Sequence, residues 1–262
     1  MTTTTFIGAG NIAQALMGGY LQTGDQIIAA DPVAAQLAKL PETISRMQDN
    51  LEAIRQADVV VLCLKPDKMA PTCRELAGSA GDRLFISVAA GVTVNSLSSW
   101  LGEQTPVVRC MPNTPALVRQ GMTGLFANQN VTRDQRLAAE KILGSVGQYR
   151  WFEIESELDA VTAVSGSGPA YFFLVMEAMQ QAGVRIGLSE ETSRQLVLQT
   201  ALGAADMASR SDLTPAQLRI NVTSPGGTTE AALGKLMAAG LADTFKDAIE
   251  AAFERSKALS EA

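Results

Sequence analysis

Ser224-Pro225-Gly226-Gly227-Thr228-Thr229 stands directly in front of a helical pattern, in the stretch NVTSPGGTTEAALGKL. Capping a helix takes one hydroxyl, carboxylate or carboxamide side chain. This run has three hydroxyls, two glycines and a proline. The glycines let the backbone fold into a cradle of N–H groups, and Thr228 or Thr229 is expected to cap the helix. Such a helix start binds a carboxylate, and a threonine hydroxyl beside it can donate a hydrogen bond to a substrate nitrogen. A second stretch, Gly8-Ala9-Gly10-Asn11-Ile12-Ala13, fits G-x-G-x-x-A between a strand pattern and a helical one. Gly8 permits a tight turn, Gly10 lets the backbone approach a pyrophosphate, and Ala13 allows close helix–strand packing. Asp31 ends the next strand, where a carboxylate holds the ribose hydroxyls of NAD and repels the 2′-phosphate of NADP. An Asp-Pro turn with the carboxylate in solvent is the competing reading.

What the chain lacks narrows the chemistry. It has no histidine, which removes every His acid, base or metal ligand. Its three cysteines, Cys63, Cys73 and Cys110, fall at unrelated spacings. No metal site and no disulfide framework is expected, and a reducing cytoplasm fits. Reducing a ketone needs a proton donor at the developing alkoxide, commonly His or Lys. No lysine occurs between Lys141 and Lys235. An imine bound as the iminium already carries its proton. A cyclic imine bearing a carboxylate therefore suits both the missing acid and the cradle.

These residues need a scaffold. At 262 residues with 47% apolar content, the chain can fill one large or two moderate cores. A net charge of −6 disfavours nucleic acid and anionic membrane surfaces. The start MTTTTFIGAG lacks the basic and apolar regions of a signal peptide, and no apolar run approaches membrane-spanning length. TTTFIGAG, QIIAAD, ADVVVLCLKP, RLFISVAAG and PVVRCMP read as strands separated by helices, and TGLFAN and QYRWFE can extend the sheet. Continuous apolar strands of this kind indicate a parallel sheet covered on both faces. Beyond Glu153 strand patterns stop, and SELDAVTAVSGSGPAYFFLVMEAMQQAG reads as helix on both sides of a Ser-Gly-Ser-Gly-Pro break. Two domains are expected: α/β over residues 1–155 and all-helical over 156–262. Glu153, Glu155, Glu157 and Asp159 read as a solvated connector between them, and Tyr171, Phe172 and Phe173 as core or dimer contacts.

In order along the chain, FIGAGNIAQAL, VVVLCLKP, SVAAGV, VVRCMPNTPALV, AVSGSGPAYFFLVMEAM and VTSPGGTTEAAL resemble the pyrroline-5-carboxylate reductase family. The likeness covers nearly the whole chain, and the last two stretches together are its specific part. It implies a Rossmann-type α/β N-terminal domain and an all-α C-terminal dimerisation domain. The implied activity is reduction of 1-pyrroline-5-carboxylate to L-proline by NAD(P)H, in dimers that often assemble into decamers. By the same resemblance the turn Gly8, Gly10, Asn11, Ile12 and Ala13 holds the pyrophosphate. Asn50 is an adenosine-side contact, and Leu64, Lys65 and Pro66 line the dinucleotide. Ala89, Ala90 and Asn113 lie near the nicotinamide. Ser224, Gly226, Gly227 and Thr228 bind the substrate carboxylate, with Thr229 at the ring nitrogen. Asp31 departs from the pattern, because the family generally favours NADPH. The competing functions are a two-domain dehydrogenase of the 3-hydroxyacid type, which calls for a helical-domain lysine acid, and a non-catalytic NAD(P) sensor, which does not need the hydroxyl-rich cradle.

Overall fold

The strands alternate their side chains between two cores. In the computed structural model, which describes residues 2–260, Phe6 points into one buried cluster and Ile7 into the other. Ile27 and Ala29 oppose Ile28 and Ala30 in the same way, as Val59 and Val61 oppose Val60 and Leu62. This is the period of two that an extended backbone imposes. Because both faces are covered, each strand reads as an unbroken apolar run. Burying a side chain such as Phe6, Ile28 or Leu62 contributes ~1.5–3 kcal/mol, and all three are fully buried.

The strands are β1 (Thr3–Ile7), β2 (Gln26–Ala30), β3 (Ser45–Met47), β4 (Val59–Leu62), β5 (Leu84–Ser87), β6 (Val107–Met111), β7 (Gly121–Ala127) and β8 (Gly147–Trp151). They form one sheet in the order β3-β2-β1-β4-β5-β6-β7-β8. Every pairing is parallel except β6 with β7, so the expected parallel sheet is corrected to a mixed one. The reversal follows from the short connection through a 3₁₀ turn at Thr114–Val118, which leaves no room for a crossover helix. Helices α1 (Asn11–Tyr20), α2 (Ala34–Leu37), α3 (Asn50–Arg55), α4 (Pro66–Leu76), α5 (Val94–Leu101) and α6 (Arg133–Gly144) connect the strands. The order of strands reverses between β1 and β4, which opens a crevice beyond their carboxyl ends.

The remaining helices are α7 (Glu157–Val161), α8 (Gly168–Arg185), α9 (Glu190–Arg210), α10 (Pro215–Asn221), α11 (Thr228–Ala238) and α12 (Leu241–Ser260). The expected break at Ser-Gly-Ser-Gly-Pro is instead a π-helical turn at Thr162–Gly166. Helix continues through it from Glu157 to Arg185. An 18-residue window of that 29-residue helix reaches mean hydropathy 1.2, enough by length and composition alone to cross a membrane, although it is not a contiguous apolar run.

The chain divides into two compact units. One comprises residues up to Pro169 together with those from Ala251 onward, and the other is Ala170–Glu250. This division falls elsewhere than residue 155, where the sequence changes character. Leu158 and Ala163 are fully buried, and Asp159 accepts a hydrogen bond from Ser256 Oγ at 2.7 Å. These contacts tie α7 and the end of α12 to the sheet-bearing unit. In the helical unit α8 and α9 meet closely where Gly183 faces Ser193, whose hydroxyl donates to the Gln180 carbonyl at 2.8 Å. Only Ser193 and Val197 are buried there, while Phe172, Phe173, Leu174, Leu202 and Met207 are exposed.

Candidate functional site

The glycine turn is built at the carboxyl end of β1. Gly8 has φ +96°, and a Cβ there would lie 2.5 Å from the Cys63 carbonyl oxygen at the end of β4. Both the backbone conformation and the space demand glycine. Gly10 is different: a Cβ would meet nothing within 4 Å, so the space above it is open to a ligand. Gly10 is also the N-cap of α1 and supplies no side-chain cap, and the first helical bond runs from Gln14 N–H to its carbonyl at 2.9 Å. The amides of Asn11, Ile12 and Ala13 are therefore outside the helical ladder, as an anion site requires. Gln14 Nε2 donates to the Ala9 carbonyl at 2.8 Å and stiffens the turn, and Ala13 is fully buried.

Asp31 is neither a solvent-facing carboxylate nor a plain turn residue. Its Oδ1 accepts from Val33 N–H at 2.8 Å, closing the Asp-Pro turn, and its Oδ2 accepts from Ala9 N–H at 2.9 Å. The second bond binds the carboxylate to the glycine turn. Asn50 is the first residue of α3, behind the cap in which Asp49 Oδ1 accepts from Glu52 N–H at 3.0 Å. Asn50 Oδ1 is buried without a hydrogen-bond partner, the one such side-chain atom among the described residues. A buried acceptor in that condition calls for a donor, which water or a ligand can supply.

The other residues expected on the cofactor side follow the carboxyl ends of neighbouring strands. Leu64, Lys65 and Pro66 follow β4, with Leu64 Cδ2 3.3 Å from the Cβ position at Gly8. Lys65 is exposed and N-caps α4, with Pro66 at the first helical position. Ala89 and Ala90 follow β5, and Ala89 N–H donates to Ser87 Oγ at 3.3 Å. Asn113 follows β6 and is held by its own hydrogen bonds. Its Nδ2 donates to the Ser165 carbonyl at 3.1 Å, and its Oδ1 accepts from Met122 N–H at 2.9 Å. It thus ties the strand end to the π-helical turn.

A charged network supports this edge, and the sequence reading missed it. Arg109 on β6 is 4% exposed and bonds Glu155 Oε1 at 2.9 Å, with Asp159 Oδ1 3.8 Å away. Glu155 Oε1 also accepts from Val94 N–H at 2.7 Å, at the start of α5. Glu155 and Asp159 are therefore structural counter-ions, not a solvated connector. An alternating run of acids gives no sign of which one turns inward. Burial pushes the thiols of Cys63 and Cys110 upward and that of Cys73 to about 12, so all three are neutral thiols at pH 7. Among the described residues no group of three or more His, Cys, Asp or Glu side chains is placed to hold a metal ion.

In the helical unit, Ser224-Pro225-Gly226-Gly227 forms a hydrogen-bonded turn, with Gly227 N–H donating to the Ser224 carbonyl at 3.0 Å. Gly226 has φ +70°, as the third residue of a type II turn after proline requires. The expected threonine cap is corrected: Gly227 is the N-cap, and Thr228 and Thr229 are the first two residues of α11. Glu230, also missed, accepts from Gly226 N–H through Oε2 at 2.8 Å. The amides of Gly226 and Gly227 are thus internally engaged. The first helical bond, Ala231 N–H to the Gly227 carbonyl, leaves the amides of Thr228 and Thr229 outside the ladder. With the hydroxyls of Ser224, Thr228 and Thr229 they are the donors this segment can offer a carboxylate.

Comparison with known proteins bears on both units. Residues 155–259 match the family model for pyrroline-5-carboxylate reductase dimerisation, and residues 3–91 match that for NADP oxidoreductase, coenzyme F420-dependent. The chain is 51% identical over 262 residues to the pyrroline-5-carboxylate reductase of Pseudomonas aeruginosa, covering 98% of this chain and 96% of that one. It is 42% identical over 258 residues to the Haemophilus influenzae pyrroline-5-carboxylate reductase, covering 96% and 95%. Its structure superposes on that of a pyrroline-5-carboxylate reductase from Coxiella burnetii with TM-score 0.94 and 42% identity, over 99% and 98% of the chains. For the Plasmodium falciparum pyrroline carboxylate reductase with NADP bound the values are 0.89 and 33%, over 99% and 98%. A glycerol-3-phosphate dehydrogenase from Coxiella burnetii, at 13% identity and TM-score 0.53, shares the fold alone.

Proposed function

The chain belongs to the pyrroline-5-carboxylate reductase family, and we infer from this that it reduces 1-pyrroline-5-carboxylate to L-proline with a reduced nicotinamide dinucleotide, NADPH or NADH. The observation that carries the reading is 51% identity across 98% of the chain to a reductase of that name. The residues present fit a dinucleotide. The space over Gly10 is open, the α1 amides are uncapped, and Asn50 Oδ1 is a buried acceptor in want of a donor. When bound, the reduced nicotinamide supplies a hydride to the imine carbon.

The chain's own residues bind and orient. The amides of Gly10, Asn11, Ile12 and Ala13 hold the pyrophosphate, and Asn50 accepts from the adenosine side. Leu64, Lys65 and Pro66 line the dinucleotide, and Ala89, Ala90 and Asn113 flank the nicotinamide, with Asn113 kept in place by Ser165 and Met122. Ser224 and Thr228 bind the substrate carboxylate, while Gly226 and Gly227 shape the turn that presents them. The Thr229 hydroxyl stands at the ring nitrogen, where its oxygen accepts from the iminium N–H. This division of labour asks for no histidine or lysine acid, in keeping with a chain that has no histidine.

The assembly we propose is a homodimer through the helical unit, built up to a decamer as the family resemblance implies, in the cytoplasm and without membrane or nucleic-acid partners. A stretch with only Ser193 and Val197 buried has too little core of its own, and its exposed Phe172, Phe173 and Leu174 are what a second copy would cover. The test of the activity is oxidation of NADPH or NADH, followed by absorbance, with 1-pyrroline-5-carboxylate as acceptor. Proline formed in step with oxidised dinucleotide is the expected result. No turnover with either, in a folded sample that binds one of them, would overturn the substrate assignment.

A further inference from the structure

We propose that Asp31 is a specificity-determining residue that makes this chain favour NADH over NADPH; the proposal rests on the reading of the protein as a dinucleotide-dependent reductase. The carboxylate follows β2, where the fold places the adenosine ribose. It is fixed there from both sides, by Ala9 N–H at 2.9 Å and Val33 N–H at 2.8 Å. The backbone beneath is fixed as well: Asp31 N–H donates to the Met47 carbonyl at 3.2 Å, and Gln48 Nε2 to the Pro32 carbonyl at 3.3 Å. The charge cannot swing away from a ligand without breaking the bond that shapes the glycine turn. Each oxygen keeps a further lone pair for a ribose hydroxyl.

The segments beside the carboxylate offer a 2′-phosphate no cation of their own. No lysine or arginine precedes Lys39, so the glycine turn, β2 and the Asp31-Pro32-Val33-Ala34-Ala35-Gln36 segment carry no cationic side chain. Lys39 donates to Gln36 Oε1 at 3.1 Å, and the Arg46 guanidinium donates to the Leu40 carbonyl. A phosphate monoester carries roughly 1.5 to 2 negative charges at neutral pH. Set beside a fixed carboxylate, it is repelled, whereas the hydroxyl of NADH donates to the same carboxylate.

The test is a pair of binding titrations on the full-length protein without imine, following intrinsic fluorescence. One compares NADH with NADPH, and the other compares 5′-AMP with adenosine 2′,5′-bisphosphate, which differ only in the 2′-phosphate. The expected result is roughly tenfold or greater preference for the ligand without the 2′-phosphate in both pairs. Asp31→Ser should shrink that preference by about the same factor, through tighter binding of the phosphorylated ligands, since serine can still accept from Val33 N–H. Equal or tighter binding of NADPH by the wild type would overturn the proposal, as would an unchanged ratio in Asp31→Ser. If the variant does not fold, the wild-type ratios decide. Proline formation favouring NADPH would sink the assignment to Asp31 and leave the reductase reading standing. A folded protein that binds neither dinucleotide would remove both.

Discussion

Arg109→Met tests whether the buried charges behind the strand ends act as a unit. The guanidinium is 4% exposed and faces Glu155 at 2.9 Å and Asp159 at 3.8 Å. Methionine approximates the volume of the aliphatic stem but leaves two carboxylates facing each other across its place. Removing one partner of a buried ion pair costs about 3–5 kcal/mol, because the remaining charge is uncompensated. With a urea dependence of about 3 kcal/mol per molar, the unfolding midpoint should fall by roughly 1–1.7 M. Asp159→Asn keeps an acceptor for Ser256 Oγ, now 2.7 Å from the carboxylate, while removing one of the two charges. Added to Arg109→Met, it should recover about 1–2 kcal/mol as coupling energy. The assay is urea unfolding of the four proteins at one fixed protein concentration. A loss below about 1 kcal/mol in Arg109→Met, or strict additivity in the double variant, would show that water or a rearranged side chain neutralises the acids and that the network is not a unit.

Two further outcomes follow from other sites. Thr229→Ala should lower kcat roughly ten- to a hundredfold, the loss of one hydrogen bond of about 1.5–3 kcal/mol at a centre of changing charge, with dinucleotide affinity unchanged; steady-state kinetics beside a binding titration checks both. Burial alone would raise the Asp25 carboxyl, but the Lys141 ammonium, the Tyr20 hydroxyl at 2.7 Å and Thr2 N–H hold it at about 2. That folded value lies below the ordinary one of about 3.9, so its stabilisation is present above pH ~4 and disappears as pH falls toward 2. Asp25→Asn should therefore flatten the acid limb of stability against pH, and identical limbs in the two proteins would refute the assignment.

The central strands were legible because burial on both faces writes them as continuous apolar runs, as in Val59–Leu62. β3 was not, since three residues, of which Ser45 and Arg46 are exposed, carry no such run. Strand direction is equally invisible: the apolar pattern of β7 is the same read either way, and only the short link through Thr114–Val118 reverses it. At the site, Gly8, Gly10 and Ala13 were readable because backbone geometry restricts their types. Glu230 was hidden because a first-turn glutamate is ordinary in any helix, and its bond to Gly226 depends on a turn whose shape is a three-dimensional fact. The inward turn of Glu155 and Asp159 was hidden for a related reason: their partner Arg109 lies far back along the chain, in a strand.

The return of α12 to the sheet-bearing unit carries a consequence for synthesis. A Cβ at Gly91 would lie 2.9 Å from the Leu259 carbonyl oxygen, and Asp159 waits for the hydroxyl of Ser256. On a ribosome that adds about 5–20 residues per second, the intervening Ala170–Glu250 takes on the order of ten seconds to emerge. For that interval the nascent dinucleotide unit has its sheet but not its last helical turns. The surface around Gly91 and Asp159 stays uncovered until the end of α12 has been made, which makes it the patch where chaperone contact during translation is to be sought.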